Sequence, residues 1–216
     1  MDEAAQKGLD DFFSHYPSKR YHKGQILIYA REDPAGIFYL KSGKVRKYDI
    51  GAGGDEVVLN IFQEHVFFPI NWALNKTPNR YFYEAASTIE VRQAPVAELT
   101  AYLETHPHVT YELLKQVHSG REAAQRRLVF LMSGDSRSRL LFELVMEGKR
   151  SGEMRPDGSC AITVGVADVA QRAGHSRETM SRELTKILRD ENILTRQGRS
   201  LVIRDFQALE RRVNEY

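Results

Sequence analysis

Residues 166–194 read VADVAQRAGHSRETMSRELTKILRDENIL, and this stretch decides the fold of the C-terminal part of the chain. Two apolar-periodic segments, Val166–Ala173 and Ser176–Asp190, flank Gly174. Glycine supplies the backbone freedom that a tight helix-to-helix turn needs. Ser176 stands where a hydroxyl can cap the second segment. On that segment Met180, Leu184, Ile187 and Leu188 share one face, leaving Arg177, Glu178, Arg182, Lys186 and Arg189 for solvent or a partner. At ~1.5 Å rise and ~3.6 residues per turn, Arg177, Glu178 and Arg182 can reach one groove of a duplex together. Arginine forks match the guanine edge, and a carboxylate accepts from the cytosine amino group. The plainer alternative makes Arg177 and Glu178 ordinary first-turn residues, with the glutamate favoured by the helix dipole.

Downstream, Ile193–Ile203 forms a hairpin pattern around Gln197 and Gly198. Upstream, Ser133-Gly-Asp135 interrupts a helical pattern, Asp135 or Ser136 can cap the next helix over Arg137–Glu147, and Lys149–Ser159 is a polar loop. The layout is that of a winged helix-turn-helix. Thr163 (as cap of the first segment), Ser176, Thr179, Ser181, Lys186, Arg196 and Arg199 are candidate phosphate donors, although a basic wing tip is equally a solvated turn. Between Cys160 and Ile203 seven Lys/Arg stand against five Asp/Glu, and the whole chain carries only +2. Phosphate binding therefore has to come from local placement, not bulk charge.

Before the break, Val109, Leu113, Val117, Gly120, Ala124, Leu128 and Leu131 recur at helical spacing, giving one long helix over 107–133. Such a stripe either packs along its own domain or meets a second copy of itself. A helix of ~25 residues exceeds what a small roll covers, which favours a homodimer. The expected organisation is a β-roll over 1–106, a dimerisation helix over 107–133 and a DNA-binding domain over 134–216.

From Tyr21 to Pro95, short β-rich runs alternate with turn signals such as Ser42-Gly43 and Gly51–Gly54, which predicts an antiparallel, jelly-roll-like β-roll and an α+β chain overall. The 216 residues, 42% hydrophobic, suit two modest domains. One cysteine, Cys160, excludes an intramolecular disulfide framework and a four-cysteine cluster. The acidic start is not a secretory signal, and no run approaches a membrane span, so a cytoplasmic protein without a membrane partner is expected. His65 with Glu64 and Glu56 lacks metal-ligand spacing, and His106 and His108 suit a capped helix start better than a ligand pair. No cofactor, metal or catalytic set is expected.

The β-roll, long helix, hinge and the 166–194 stretch, together with GIFYLKSGKV at 36–45, resemble the Crp/Fnr family of bacterial transcription regulators over roughly residues 20–205. The resemblance implies base reading by Arg177, Glu178 and Arg182 on a palindrome whose half-sites are similar to TGTGA, about 34 Å apart. It also implies double-stranded DNA, a second copy of the chain and RNA polymerase as partners. Cyclic-nucleotide-binding members carry a Gly-Glu pair and an Arg-Ser/Thr pair. Here Pro69-Ile70 and Arg80-Tyr81 occupy those places, and Ala124-Gln125 replaces the Thr-Ser pair that contacts the base. The candidate effector pocket is therefore Pro69, Ile70, Asn71, Arg80, Tyr81, Ala124 and Gln125, for an unidentified small molecule rather than cyclic AMP in the usual mode. The alternative function is a small-molecule sensor acting through a protein partner, with vestigial DNA binding.

Overall fold

The computed structural model describes residues 1–52, 54, 56–190 and 192–214; Gly53 of the expected Gly51–Gly54 turn lies outside them. In chain order the elements are α1 (Glu3–Ser14), β1 (Ser18–Tyr21), β2 (Ile26–Ile28), β3 (Ile37–Ser42), β4 (Val45–Ile50), β5 (Glu56–Phe62), β6 (Val66–Phe68), α2 (Ile70–Asn75), β7 (Phe82–Ala85), β8 (Ile89–Ala94), α3 (Val96–Thr105) and α4 (Pro107–Ser133). There follow α5 (Ser136–Ser151), β9 (Glu153–Met154), β10 (Cys160–Ile162), α6 (Val166–Ala173), α7 (Arg177–Asp190), β11 (Leu194–Gln197), β12 (Ser200–Ile203) and α8 (Phe206–Asn214). The chain divides into two compact units, Met1–Arg121 and Glu122–Tyr216, and the division falls inside α4.

In the first unit two antiparallel four-stranded sheets, β1-β8-β3-β6 and β2-β7-β4-β5, face each other. Strand β3 explains the layering. Successive side chains point to opposite faces, and here both faces are covered. Ile37 and Tyr39 enter a layer shared with α1, α3 and the start of α4, while Phe38 and Leu40 enter the layer between the sheets. Phe13 of α1 stacks on Tyr39 with ring centroids 4.5 Å apart, and the Tyr39 hydroxyl donates to Asp10 Oδ1 at 2.8 Å. Gly43 turns β3 into β4 at φ +87°, where a side chain would also meet the Thr88 carbonyl.

The long helix spans 107–133 as its periodicity indicates, but its first turns are spent differently from expectation. Val109 and Leu113 are buried among Ala5, Leu9, Leu99 and Leu103 of their own unit, so these two residues are unavailable to a partner. Glu112 is buried as well and accepts from Lys115 at 2.6 Å and from the Asp2 N–H at 3.1 Å. The exposed apolar side chains are Tyr111, Leu114 and Val117, then Leu128, Val129 and Met132, so the expected stripe keeps Val117 and Leu128 while Leu114 is exposed where Leu113 is not.

In the second unit, α5, α6 and α7 close over one core containing Leu140, Leu144, Ile162, Met180, Ile187 and Ile203. Asp135 caps α5, accepting from the Ser138 N–H at 2.7 Å. Helix α5 runs to Ser151, four residues beyond its expected end, because Lys149 pairs with Glu210 of α8 and Arg150 with Glu147. Basic side chains there also complement the helix C-terminus. The stretch expected as a loop contains β9, which pairs with β10 and completes a sheet of order β11-β12-β10-β9. Helix α8 went unread in the sequence. It seats Phe206 against Gly148, where any side chain would collide with the ring.

Candidate nucleic-acid interface

Helix α6 ends on Gly174 at φ +66°, and the Gly174 and His175 N–H groups both return to the Ala170 carbonyl. A Cβ at Gly174 would meet nothing nearer than Leu131 Cδ2 at 3.5 Å, so the glycine is needed for its backbone alone. Gly174→Ala should therefore lower the stability of the second unit by about 1–2 kcal/mol, the usual cost of left-handed backbone for an L-residue. Gly174→Asn should lower it less; calorimetric unfolding measures both. The Ser176 hydroxyl then accepts the Thr179 N–H at 3.2 Å, capping α7, and donates to Thr179 Oγ1 at 3.1 Å.

Met180, Leu184 and Ile187 are buried and Leu188 packs against the same core, which turns the opposite face of α7 outward. Arg177, Glu178, Ser181, Arg182 and Lys186 are all exposed on it. The Glu178 carboxyl is held below its usual range by its own backbone N–H, then by the Ser176 hydroxyl, with Arg177 and Arg182 adding their charge. It is therefore ionised at neutral pH and purely an acceptor. Among the described residues Arg182 hydrogen-bonds only to Thr179 Oγ1, at 3.5 Å, which leaves most of its guanidinium fork open. Lys186 is engaged by Glu183 at 2.8 Å.

The wing joins β11 to β12 through Gly198 and Arg199, pairing Gln197 with Ser200. Arg196 and Arg199 are exposed on it. Thr163 is not the cap of α6. Gly165 occupies that position without a side-chain bond, and the Thr163 hydroxyl instead meets Ser200 Oγ at 2.9 Å, joining β10's exit to the wing. Arg155, unremarked in the sequence, props the wing by donating to Gln197 Oε1 at 3.1 Å. Arg172, counted with the basic excess, is buried, so it adds nothing to a surface field.

Residues 18–106 match the cyclic nucleotide-binding domain and residues 138–212 the Crp-like helix-turn-helix domain. The chain is 23% identical over 192 residues to the global nitrogen regulator of Synechocystis, a match that covers 88% of this chain and 85% of that protein. The chain belongs to the Crp/Fnr family. It is a Crp/Fnr-type transcription regulator with a helix-turn-helix DNA-binding domain. In fold it resembles a mutant of CooA from Carboxydothermus hydrogenoformans (TM-score 0.76, 22% identity, covering 94% of this chain and 90% of that one). It is also similar to the c-di-GMP responsive global regulator CLP of Xanthomonas campestris, with TM-score 0.74 and 22% identity over 91% of this chain and 98% of that one.

The effector-pocket residues of this Crp/Fnr regulator are only partly brought together. Pro69 precedes the short helix α2, Ile70 packs into the helical layer, and Asn71 is exposed with its carbonyl accepting from Thr77. Tyr81 faces the other layer, between the sheets. Arg80 is exposed and lines an open cleft of about 770 Å³ with Arg31, Asp49 and Phe82. Ala124 and Gln125 are exposed on the part of α4 that belongs to the second unit. Among the described residues no three His, Cys, Asp or Glu side chains converge as metal ligands would, and no helix is long and apolar enough to cross a membrane.

Proposed function

We propose that this Crp/Fnr regulator works as a homodimer that reads a palindromic duplex, with α7 of each copy in successive major grooves. Arg177, Glu178 and Arg182 contact base edges, and Thr163, Ser176, Thr179, Ser181, Lys186, Arg196 and Arg199 hold the phosphates. The observation that carries this reading is the exposed arginine pair, without an ion pair to a carboxylate among the described residues, flanking an ionised glutamate on a helix whose other face is locked into the core. Ser176, Thr179 and the two wing arginines supply donors without any need for a basic net charge. Like other helix-turn-helix dimers, such a reader has two-fold symmetry matching that of its site. RNA polymerase is its expected protein partner, catalysis is not its task, and its place is the cytoplasm.

Dimerisation is assigned to the exposed face of α4, with Leu114, Val117, Ala124, Leu128 and Leu131 near helical spacing once Leu114 replaces Leu113. Leu114 is 63% exposed and Met132 78%, exposures that a partner helix would remove. Leu114→Glu should therefore shift the sedimentation mass from two chains to one and weaken binding to a palindrome at least tenfold, while the folding of each unit is unchanged. A wild-type chain that sediments as a monomer at micromolar concentration would overturn the assignment.

A further inference from the structure

The second half of α4 belongs to the second unit, and two side chains on one face hold it there. Phe130 is buried and stacks on Phe142 of α5 with ring centroids 4.5 Å apart. Arg127 grips Glu143 of α5 with both arms of its guanidinium, Nε at 2.8 Å from Oε1 and Nη2 at 3.0 Å from Oε2. Glu143 is buried, and its Oε2 also lies 3.3 Å from Arg172 Nε of α6. Helix α6 ends at Gly174, and the turn there delivers α7. Charged side chains thus run from α4 through α5 to the helix that leads into the reading helix. Leu131 turns its Cδ2 toward the same Gly174 turn. The opposite face of this half-helix carries Ala124, Leu128 and Met132, all exposed. One face is tied to the DNA-binding domain and the other is left for a second copy.

The two ties differ in kind. Apolar contact is non-directional, so the Phe130–Phe142 stack holds α4 close without fixing its tilt. A bidentate arginine–carboxylate pair fixes distance and orientation together, because two parallel N–H···O bonds must form at once. The Glu143 side chain is 2% exposed and that of Arg127 15%, so water and salt screen this pair little.

Resting on the homodimeric reading above, we propose that Arg127 is a positioning residue for two-fold DNA recognition. Its fork on Glu143 sets the angle between α4 and α7, and so the separation of the half-sites that the dimer accepts. Where the α4 helices of two copies meet at the two-fold axis, any tilt of α7 on α4 is applied once in each copy. One added base pair turns a half-site by roughly 35° and moves it ~3.4 Å, so reading helices held at a fixed angle discriminate between neighbouring spacings. Arg127 contacts neither base nor phosphate in this role; it acts through Glu143 and α6.

The test measures affinity of the full chain for palindromes whose half-sites are moved together or apart by single base pairs, and for a duplex with one half-site. The native chain should prefer one spacing over its neighbours by about tenfold or more. Arg127→Lys keeps a cation against Glu143 but gives up the fork, and Arg127→Leu gives up both. Each should narrow the preference to about threefold or less, while affinity for one half-site and its base preference stay native. A fold defect lowers all affinities together, so the ratio between spacings separates positioning from stability. Should Arg127→Leu not fold, Arg127→Lys carries the test. The proposal is overturned if the folded variants keep the native spacing preference, or if the native chain binds all spacings alike. A native chain that binds one half-site as tightly as any palindrome would instead refute the homodimeric reading, and this role of Arg127 with it.

Discussion

Arg182→Ala should weaken binding to a selected palindrome by about 30-fold to 10⁴-fold, because a two-fold dimer gives up two bidentate base pairings worth ~1–3 kcal/mol each. Preference for guanine at the contacted position should flatten at the same time. The side chain is exposed and its one hydrogen bond among the described residues is a 3.5 Å approach to Thr179, so folding should not change beyond ~0.5 kcal/mol. Lys186→Ala supplies the contrast. Taking one phosphate anchor from each subunit weakens every sequence alike and lowers the slope of log K against log salt by about 2. Fluorescence anisotropy on matched and scrambled duplexes, at several salt concentrations, separates the two effects. Unaltered affinity and base preference in Arg182→Ala would remove Arg182 from the reading set.

Arg172→Ala should clearly destabilise the second unit. Its guanidinium sits in a buried network that joins three helices. Arg172 Nη1 donates to Glu147 Oε2 at 3.0 Å, and Nε lies 3.3 Å from Glu143 Oε2 without the alignment of a hydrogen bond. Glu143 is gripped from α4 by Arg127, through Nε at 2.8 Å and Nη2 at 3.0 Å. Arg150 reaches Glu147 at 3.2 Å. Without Arg172, Glu143 keeps Arg127 and Glu147 keeps Arg150, so the loss is that of the buried guanidinium's own charge-assisted bonds, about 1.5–3 kcal/mol. At ~4–8 °C per kcal/mol for a unit of this size, the melting temperature should fall by roughly 6 °C or more. Adding Glu147→Gln to Arg172→Ala should deepen the loss, because it strands the charge of Arg150. If Arg172→Ala melted within ~2 °C of the native chain, the network would be a bystander.

Much of this fold is legible in the sequence because its punctuation is local. Gly174 between two amphipathic runs, Ser176 before Arg177, and Asp135 after a glycine each have one economical reading, and the caps and turn form where expected. The strand runs are visible as short β-rich stretches between turn signals. What stays hidden depends on which neighbour covers a face. Val109 and Leu113 share a stripe with Val117 and Leu128, and periodicity does not tell burial against α1 and α3 from burial against another copy. Arg172 looks like surface charge until Glu143 and Glu147, a full helix earlier, are brought to it. Helices α2 and α8 are short and depend on their partners, Gly148 for Phe206 above all, rather than on propensity.

Selection of duplexes from a fully randomised pool by the intact chain tests two-fold DNA reading most directly. The account predicts enrichment of an inverted repeat whose half-sites are centred one helical turn, ~34 Å, apart, with a guanine in each half-site whose enrichment disappears in Arg182→Ala. Recovery of a single unrepeated motif, or of no motif at all, would contradict it.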